Sequence, residues 1–75
     1  SLEKAVLDAA KTNKVEVLGD LLSQLADQGI PMHAVRDQFG STPLHWAAGK
    51  GHVGVAVLLL EQGFPPSIAA FPFFF

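Results

Sequence analysis

Residues 37–63 decide the fold of this 75-residue chain, and their sequence is DQFGSTPLHWAAGKGHVGVAVLLLEQG. The first four residues, Asp-Gln-Phe-Gly, favour a type I turn, which prefers Asp at its first position and Gly at its fourth. Thr42 before Pro43 is typical of a helix start, because the hydroxyl can cap the first turn and proline has its φ already set. The glycines on either side of Lys50 end this helix, and a strongly apolar helix then follows until Gly63. The stretch predicts a turn followed by a helical hairpin.

Residues 1–29 carry two more helical patterns. Apolar side chains recur at helical spacing, first at Leu2, Ala5, Val6, Ala9 and Ala10, and then at Val15, Leu18, Leu21, Leu22 and Leu25. Ser1 is a suitable N-cap, and Asn13 between the two patterns suits the left-handed conformation at a helix end. Gly29 ends the second helix, and residues 30–41 predict a connector that finishes in the turn.

The two predicted hairpins align with each other. Ala9-Ala10 aligns with Ala47-Ala48, Asn13 with Gly51, Val15 and Val17 with Val53 and Val55, and Leu21-Leu22 with Leu59-Leu60. The first hairpin has about four extra residues, roughly one helical turn, so its apolar face keeps its direction. Similar helix pairs at a spacing of 30 to 40 residues predict a stacked-repeat solenoid.

The TPLHWAAGKGH run, residues 42–52, resembles the ankyrin-repeat family, and the match extends from Asp37 to Gly63. The resemblance implies an all-α fold of about two stacked helix-turn-helix repeats, joined by a turn-bearing loop. Residues 1–29 match weakly, with Lys14 where His52 stands, and resemble a terminal capping repeat with a more polar outer face. We assign residues 1–70 to an ankyrin-repeat domain fragment, in which 30–63 form the full repeat.

The last residues, 64–75, depart from the family. Their sequence, FPPSIAAFPFFF, is a Pro/Phe-rich tail in which three prolines disfavour a helix. Two interpretations stay open. The tail is the non-homologous end of a truncated chain, or its phenylalanines fold back over the open Val/Leu face in place of a missing repeat.

Composition excludes several classes of function. The formal net charge is −2 and no basic run is longer than one residue, so the cationic stripe of nucleic-acid-binding proteins is missing. No apolar stretch is long enough for a membrane span. The chain has no cysteine, which favours a reducing, cytoplasmic location, with the nucleus as alternative. The start at Ser1 is not typical of a secretory signal and suggests a cut or processed end.

No residue pattern indicates catalysis, a metal or a cofactor. Three histidines without cysteine or an HExxH motif do not predict a metal site. Asp37, Ser41 and His45 are the residue types of a hydrolase triad, but each already has a role in the turn or the helix cap, so we expect no enzyme. His52 is expected to bond backbone groups at a helix start.

The family resemblance implies a concave recognition surface along the turn tips and first helices. It corresponds here to Arg36, Gln38, Phe39, Ser41, Gly49 and Lys50. Trp46 lies at the edge of that face, where it is either partly buried core or a binding anchor. The charges of the first hairpin are expected to form a solvated face: Lys4, Asp8, Lys11, Asp20 and Asp27.

The sequence therefore predicts a non-catalytic protein–protein interaction module. One alternative is a self-associating chain, in which the open repeat face and the Phe tail drive homo-oligomerisation, because barely two repeats are present where about three are normally needed. Another alternative is a regulatory part of a larger enzyme.

Overall fold

The computed structural model describes residues 1–64, apart from the side chain of His33. This part of the chain is all-α and contains no strand. Its helices are α1 (Leu2–Lys11), α2 (Val15–Asp27), α3 (Pro43–Lys50) and α4 (Val53–Glu61). The four predicted helices are confirmed, whereas a short 3₁₀ turn at Met32–Ala34 was not predicted. Of the predicted tail, residues 64–75, only Phe64 is described, and residues 65–75 lie outside the described residues.

The helices form two hairpins that stack on each other. α1 packs on α2 and α3 packs on α4, while α1 also contacts α3 and α2 contacts α4. Asn13 and Gly51 separate the two helices of their hairpins, and both have left-handed backbones, with φ of 59° and 74°. Residues aligned by sequence thus have the same conformation, as expected of two copies of one structural unit.

A capping box starts α3. The Oγ1 atom of buried Thr42 accepts a hydrogen bond from the backbone N–H of His45 at 3.3 Å. In return, Nδ1 of His45 accepts from the backbone N–H of Thr42 at 3.1 Å. A Glu or Gln usually supplies this second acceptor. Here an imidazole does, which requires a neutral ring with no proton on Nδ1.

The core lies where the hairpins meet. Leu18 of α2 and both Val55 and Leu59 of α4 are fully buried, together with Ala10 of α1. Small residues allow this close packing: a Cβ atom at Gly54 would lie only 3.3 Å from Cγ2 of Val15.

Phe64 also belongs to the core. The sequence assigned this residue to the non-repeat tail, but it is only 1% exposed. Its backbone N–H donates to the carbonyl oxygen of Leu59 at 3.0 Å, which closes the end of α4. The chain therefore stays attached to the second hairpin through residue 64.

Both ends of the stack leave apolar side chains uncovered. At one end, Val17 of α2 is 49% exposed and borders an open groove of about 480 Å³ between α1 and α2. At the other end, Val53, Val57 and Leu60 lie on one stripe of α4 and are 72%, 47% and 44% exposed. The capping character of residues 1–29 stays a prediction, since their outer face carries both valines and charges.

The capping box makes the stability of the fold sensitive to acid. Burial lowers the pKa of His45 and the charge of Arg36 lowers it further, while Asp37 acts in the opposite direction. The His45 side chain therefore binds a proton more readily in the unfolded chain than in the folded chain. The contribution of His45 is fully present above pH 6.5, the ordinary value, and is lost as the pH falls below it. We expect the Tm to decrease between pH 8 and pH 5.5 in a circular-dichroism melt.

The matched variant is His45→Gln, whose amide oxygen retains an acceptor for the N–H of Thr42 but does not titrate. Its Tm should depend less on pH over the same interval, because position 45 no longer titrates. The other two histidines are present in both proteins and do not affect the comparison. Equal pH dependence in both proteins would contradict this role of His45.

Candidate partner-binding surface

Asp37 holds the turn between the hairpins in one conformation. Its Oδ1 atom accepts from the backbone N–H of Phe39 at 2.8 Å and from that of Ser41 at 2.9 Å. The N–H of Gly40 donates to the Asp37 carbonyl at 3.0 Å, as in the predicted type I turn, and Nη1 of Arg36 donates to the Gly40 carbonyl at 2.9 Å. The side chain of Phe39 is 80% exposed. A large apolar side chain thus projects into solvent from a turn that is closed by several hydrogen bonds.

Trp46 connects this turn to the body of the stack. Its Nε1–H donates to Oδ2 of Asp37 at 3.1 Å. The ring is partly buried against the core and partly exposed. Both interpretations of Trp46 are therefore compatible with its position, since one part of the ring packs and another remains accessible.

Two lysines lie over the Trp46 ring. Nζ of Lys11, at the end of α1, is 4.5 Å from the ring centroid, and Nζ of Lys50, at the end of α3, is 5.8 Å away. Both distances are within the range of cation–π attraction. We call Lys11, Trp46 and Lys50 the lysine–tryptophan patch.

Lys11 differs from its expected place on a solvated face, because it is partly buried between the hairpins. Its carbonyl oxygen accepts from Nε2 of His52, 41 positions further along the chain, at 3.1 Å. His52 bonds a backbone group as predicted, but that group belongs to the other hairpin, and the imidazole does not cap its own helix. Lys11 is thus held by its backbone and contacts Trp46 with its side chain.

The Asp37 carboxyl is held in its ionised form by its surroundings. Partial burial raises the pKa of this carboxyl, but its three hydrogen-bond donors and the positive charge of Lys11 outweigh that effect and lower the pKa below its ordinary value. The carboxylate is therefore ionised at neutral pH and already accepts bonds at both oxygens. Nδ1 of His45 is bonded to Thr42. Asp37, Ser41 and His45, the residue types of a hydrolase triad, therefore take part in the turn and the helix cap.

A cleft of about 320 Å³ separates α1 from the segment before the turn. Its lining residues are Ser1, Glu3, Lys4, Leu7, Asp8, Lys11, Arg36, Asp37 and Gln38. Three cationic and three anionic side chains are among them. The cleft therefore has no strong overall charge, whereas the lysine–tryptophan patch at its Lys11 end is positive.

The seven predicted binding residues are distributed over the turn and α3. Arg36, Gln38, Phe39, Gly49 and Lys50 are exposed, and Ser41 and Trp46 are partly buried. The structure brings Phe39, Ser41 and Trp46 together through Asp37, and Trp46 together with Lys50. Their role in binding stays a prediction. Lys11 and Asp37 also contact Trp46. The position of Asp37 in the turn was predicted, whereas the contact of Lys11 with Trp46 joins the two hairpins and has no signal in the local sequence.

Among the described residues, no three His, Asp or Glu side chains are close enough together to hold a metal ion. The longest helix of this part has 13 residues, and none combines the length and the apolar character needed to cross a bilayer.

Comparison with known proteins relates the chain to repeat proteins. Residues 6–60 match the family model "Ankyrin repeats (many copies)". Palmitoyltransferase Hip14 of Drosophila melanogaster is 39% identical over 49 residues, which are 65% of this chain and 8% of that protein. Acyl-CoA-binding domain-containing protein 2 of Arabidopsis thaliana is 40% identical over 58 residues, or 77% of this chain and 15% of that protein.

Palmitoyltransferase ZDHHC13 of Mus musculus is 38% identical over 64 residues, which cover 80% of this chain and 9% of that protein. The chain thus spans between 8% and 15% of the length of these three relatives. No solved structure matches it significantly.

The bond from Trp46 to Asp37 can be tested by Trp46→Phe. Loss of the indole donor should raise the pKa of Asp37 towards its ordinary value, because one of the three hydrogen bonds that favour the carboxylate is removed. NMR titration of the Asp37 side-chain carboxyl carbon measures the change. The control Phe39→Ala should leave this pKa in place, since Phe39 donates from its backbone. An equal shift in both variants would contradict the role of the indole.

Proposed function

Because this chain belongs to the ankyrin-repeat family, we propose that it is a non-catalytic protein-binding module that holds its partner on the turn and on α3. The observation that carries the proposal is Phe39, 80% exposed at the tip of a turn whose backbone is bonded to Asp37. Exposed apolar side chains are common singly. The turn that carries this one is joined through Asp37 to a partly exposed tryptophan, a residue type enriched at the centres of protein interfaces.

Preorganisation supports the same proposal. A partner that binds a flexible loop must first order it, at a cost in free energy. Here Asp37 closes the turn, and Trp46 joins the turn to α3 before any partner arrives. The proposed surface consists of Arg36, Gln38, Phe39, Ser41, Trp46, Gly49 and Lys50. Because this surface is already ordered, little of the free energy of its contacts with a partner would be lost to ordering the turn.

Substitution of Phe39 by Ala should weaken partner binding about tenfold or more, because the side chain would be an interface anchor. The free energy of unfolding should change by less than about 0.5 kcal/mol, as for other exposed positions. Calorimetric titration with a partner recovered on the whole chain measures the affinity, and urea unfolding measures the stability. Val53→Ala is the matched control, because Val53 is 72% exposed but lies on α4. Unchanged affinity of Phe39→Ala for every recovered partner would rule out this surface.

A second proposal is self-association through the ends of the stack. Val55 and Leu59 of α4 are fully buried, whereas the aligned Val17 and Leu21 of α2 border the open groove. A second copy could cover Val17 and Leu21 and bury them like their counterparts in α4. Residues 65–75 of the Phe tail, which the sequence also implicates, lie outside the described residues.

Sedimentation velocity tests self-association. A concentration-dependent increase of the sedimentation coefficient is expected, and Val17→Glu should abolish it by placing a charge in the apolar groove. Gln24→Glu adds the same charge at another exposed position of α2 and should retain the association. A monomer at all concentrations would exclude this proposal.

The relatives support a third proposal, in which the module is part of a larger enzyme. Two of the three similar proteins described above are named palmitoyltransferases, and this chain matches less than a tenth of each. In such a protein the module would position protein substrates for a catalytic domain elsewhere. Sequencing the transcript around this region tests the idea, because a transferase domain would have to be encoded in the same reading frame.

A further inference from the structure

The lysine–tryptophan patch concentrates positive charge on an otherwise acidic chain. Its two ammonium groups lie 4.5 and 5.8 Å from one ring centroid, so they are at most about 10 Å apart. That separation does not exceed the distance of about 10 Å over which 0.1 M salt screens charges. The ring attracts both cations, but the cations repel each other. An anionic group within reach of both ammonium groups would be attracted by both.

Anions within residues 1–64 do not fill this role. Neither Lys11 nor Lys50 forms a salt bridge with another residue of this part of the chain. Asp37 is the carboxylate whose pKa is lowered by Lys11, yet its Oδ1 faces two backbone N–H groups and its Oδ2 faces the indole. Its lone pairs are directed to the turn. The patch therefore has positive charge available to a ligand, although the formal net charge of the chain is −2.

We propose that the lysine–tryptophan patch and Phe39 bind an acidic peptide segment of a partner protein. The inference rests on the proposed protein-binding function and names the chemistry of its partner. Carboxylates of Asp or Glu would lie against the ammonium groups of Lys11 and Lys50. The backbone N–H of Phe39 and the indole N–H of Trp46 donate to the same carboxylate, so the turn tip is close to the patch. An apolar side chain that neighbours the acidic residues of the partner would therefore contact Phe39.

Charge complementarity favours a short acidic segment over a polyanion such as nucleic acid. Two lysines can pair with one or two carboxylates, whereas nucleic acid requires a long row of cations. The cleft next to the patch is lined by Glu3 and Asp8 as well as by Lys4 and Arg36, so it does not extend the positive charge of the patch. A longer acidic ligand would find no continuous row of cations there. The arrangement thus selects acidic residues at one end of a peptide and disfavours a uniformly charged one.

Trp46 is the only tryptophan of the chain, so its fluorescence reports on the patch directly. The probes are three synthetic peptides of about a dozen residues, with one Phe and a neighbouring pair of Glu, Gln or Lys residues. In low salt, the Glu peptide should bind about three- to tenfold more tightly than the Gln peptide, and the Lys peptide most weakly. High salt should remove most of the difference.

Lysine variants identify the source of the preference. Lys50→Gln should reduce the ratio between the Glu and Gln peptides towards one, and Lys50→Arg should retain it. Lys14→Gln is the matched control, because it removes the same charge from another exposed lysine at a helix end. Equal binding of the Glu and Gln peptides, or an unchanged preference in Lys50→Gln, would overturn the inference.

Panning a random peptide library on the whole chain separates this inference from the proposed function. Enrichment of peptides containing Asp or Glu, lost in Lys50→Gln, supports both. Enrichment of neutral peptides that depends on Phe39 overturns the acidic preference but leaves the protein-binding function in place. No enrichment of any peptide counts against both.

Discussion

Contact between the two hairpins is the interaction on which the rest of this structure depends. Leu18 of α2 and both Val55 and Leu59 of α4 are fully buried in one hydrophobic cluster that the two hairpins share. Burying side chains of this size contributes about 1.5–3 kcal/mol each, before the loss of conformational entropy. Polar bonds between the hairpins, such as that from His52 to the carbonyl of Lys11, then select one register of the stack.

The candidate surface exists because of that stack. Lys11 belongs to the first hairpin and Trp46 to the second, so their cation–π contact forms only when α1 lies beside α3. The turn that carries Phe39 is bonded through Asp37 to Trp46. Any change that loosens the hairpins would separate Lys11 from the rest of the patch. The proposed binding would therefore be linked to folding, and a partner that contacts both hairpins would stabilise the stack by its own binding free energy.

Local signals made most of the fold predictable. The Thr42-Pro43 helix start, the turn from Asp37 and the left-handed positions at Asn13 and Gly51 each depend on a few neighbouring residues. The features that sequence reasoning missed depend on contacts between distant residues or on a segment without periodicity. Lys11 was expected in solvent because its partner Trp46 is in the other hairpin, and the 3₁₀ turn at Met32–Ala34 has no repeating apolar pattern.

The open ends of the stack follow from the same repeat pattern that builds its centre. A repeated sequence places equivalent apolar side chains on every hairpin, so the positions buried at an internal interface become exposed at the last one. Val17 at one end and Leu60 at the other are each close to half exposed. Covering either one would contribute about 1 kcal/mol. Because the lysine–tryptophan patch requires the stack, a hairpin added at either end, from the same polypeptide or a second copy, would also favour the conformation that contains the patch.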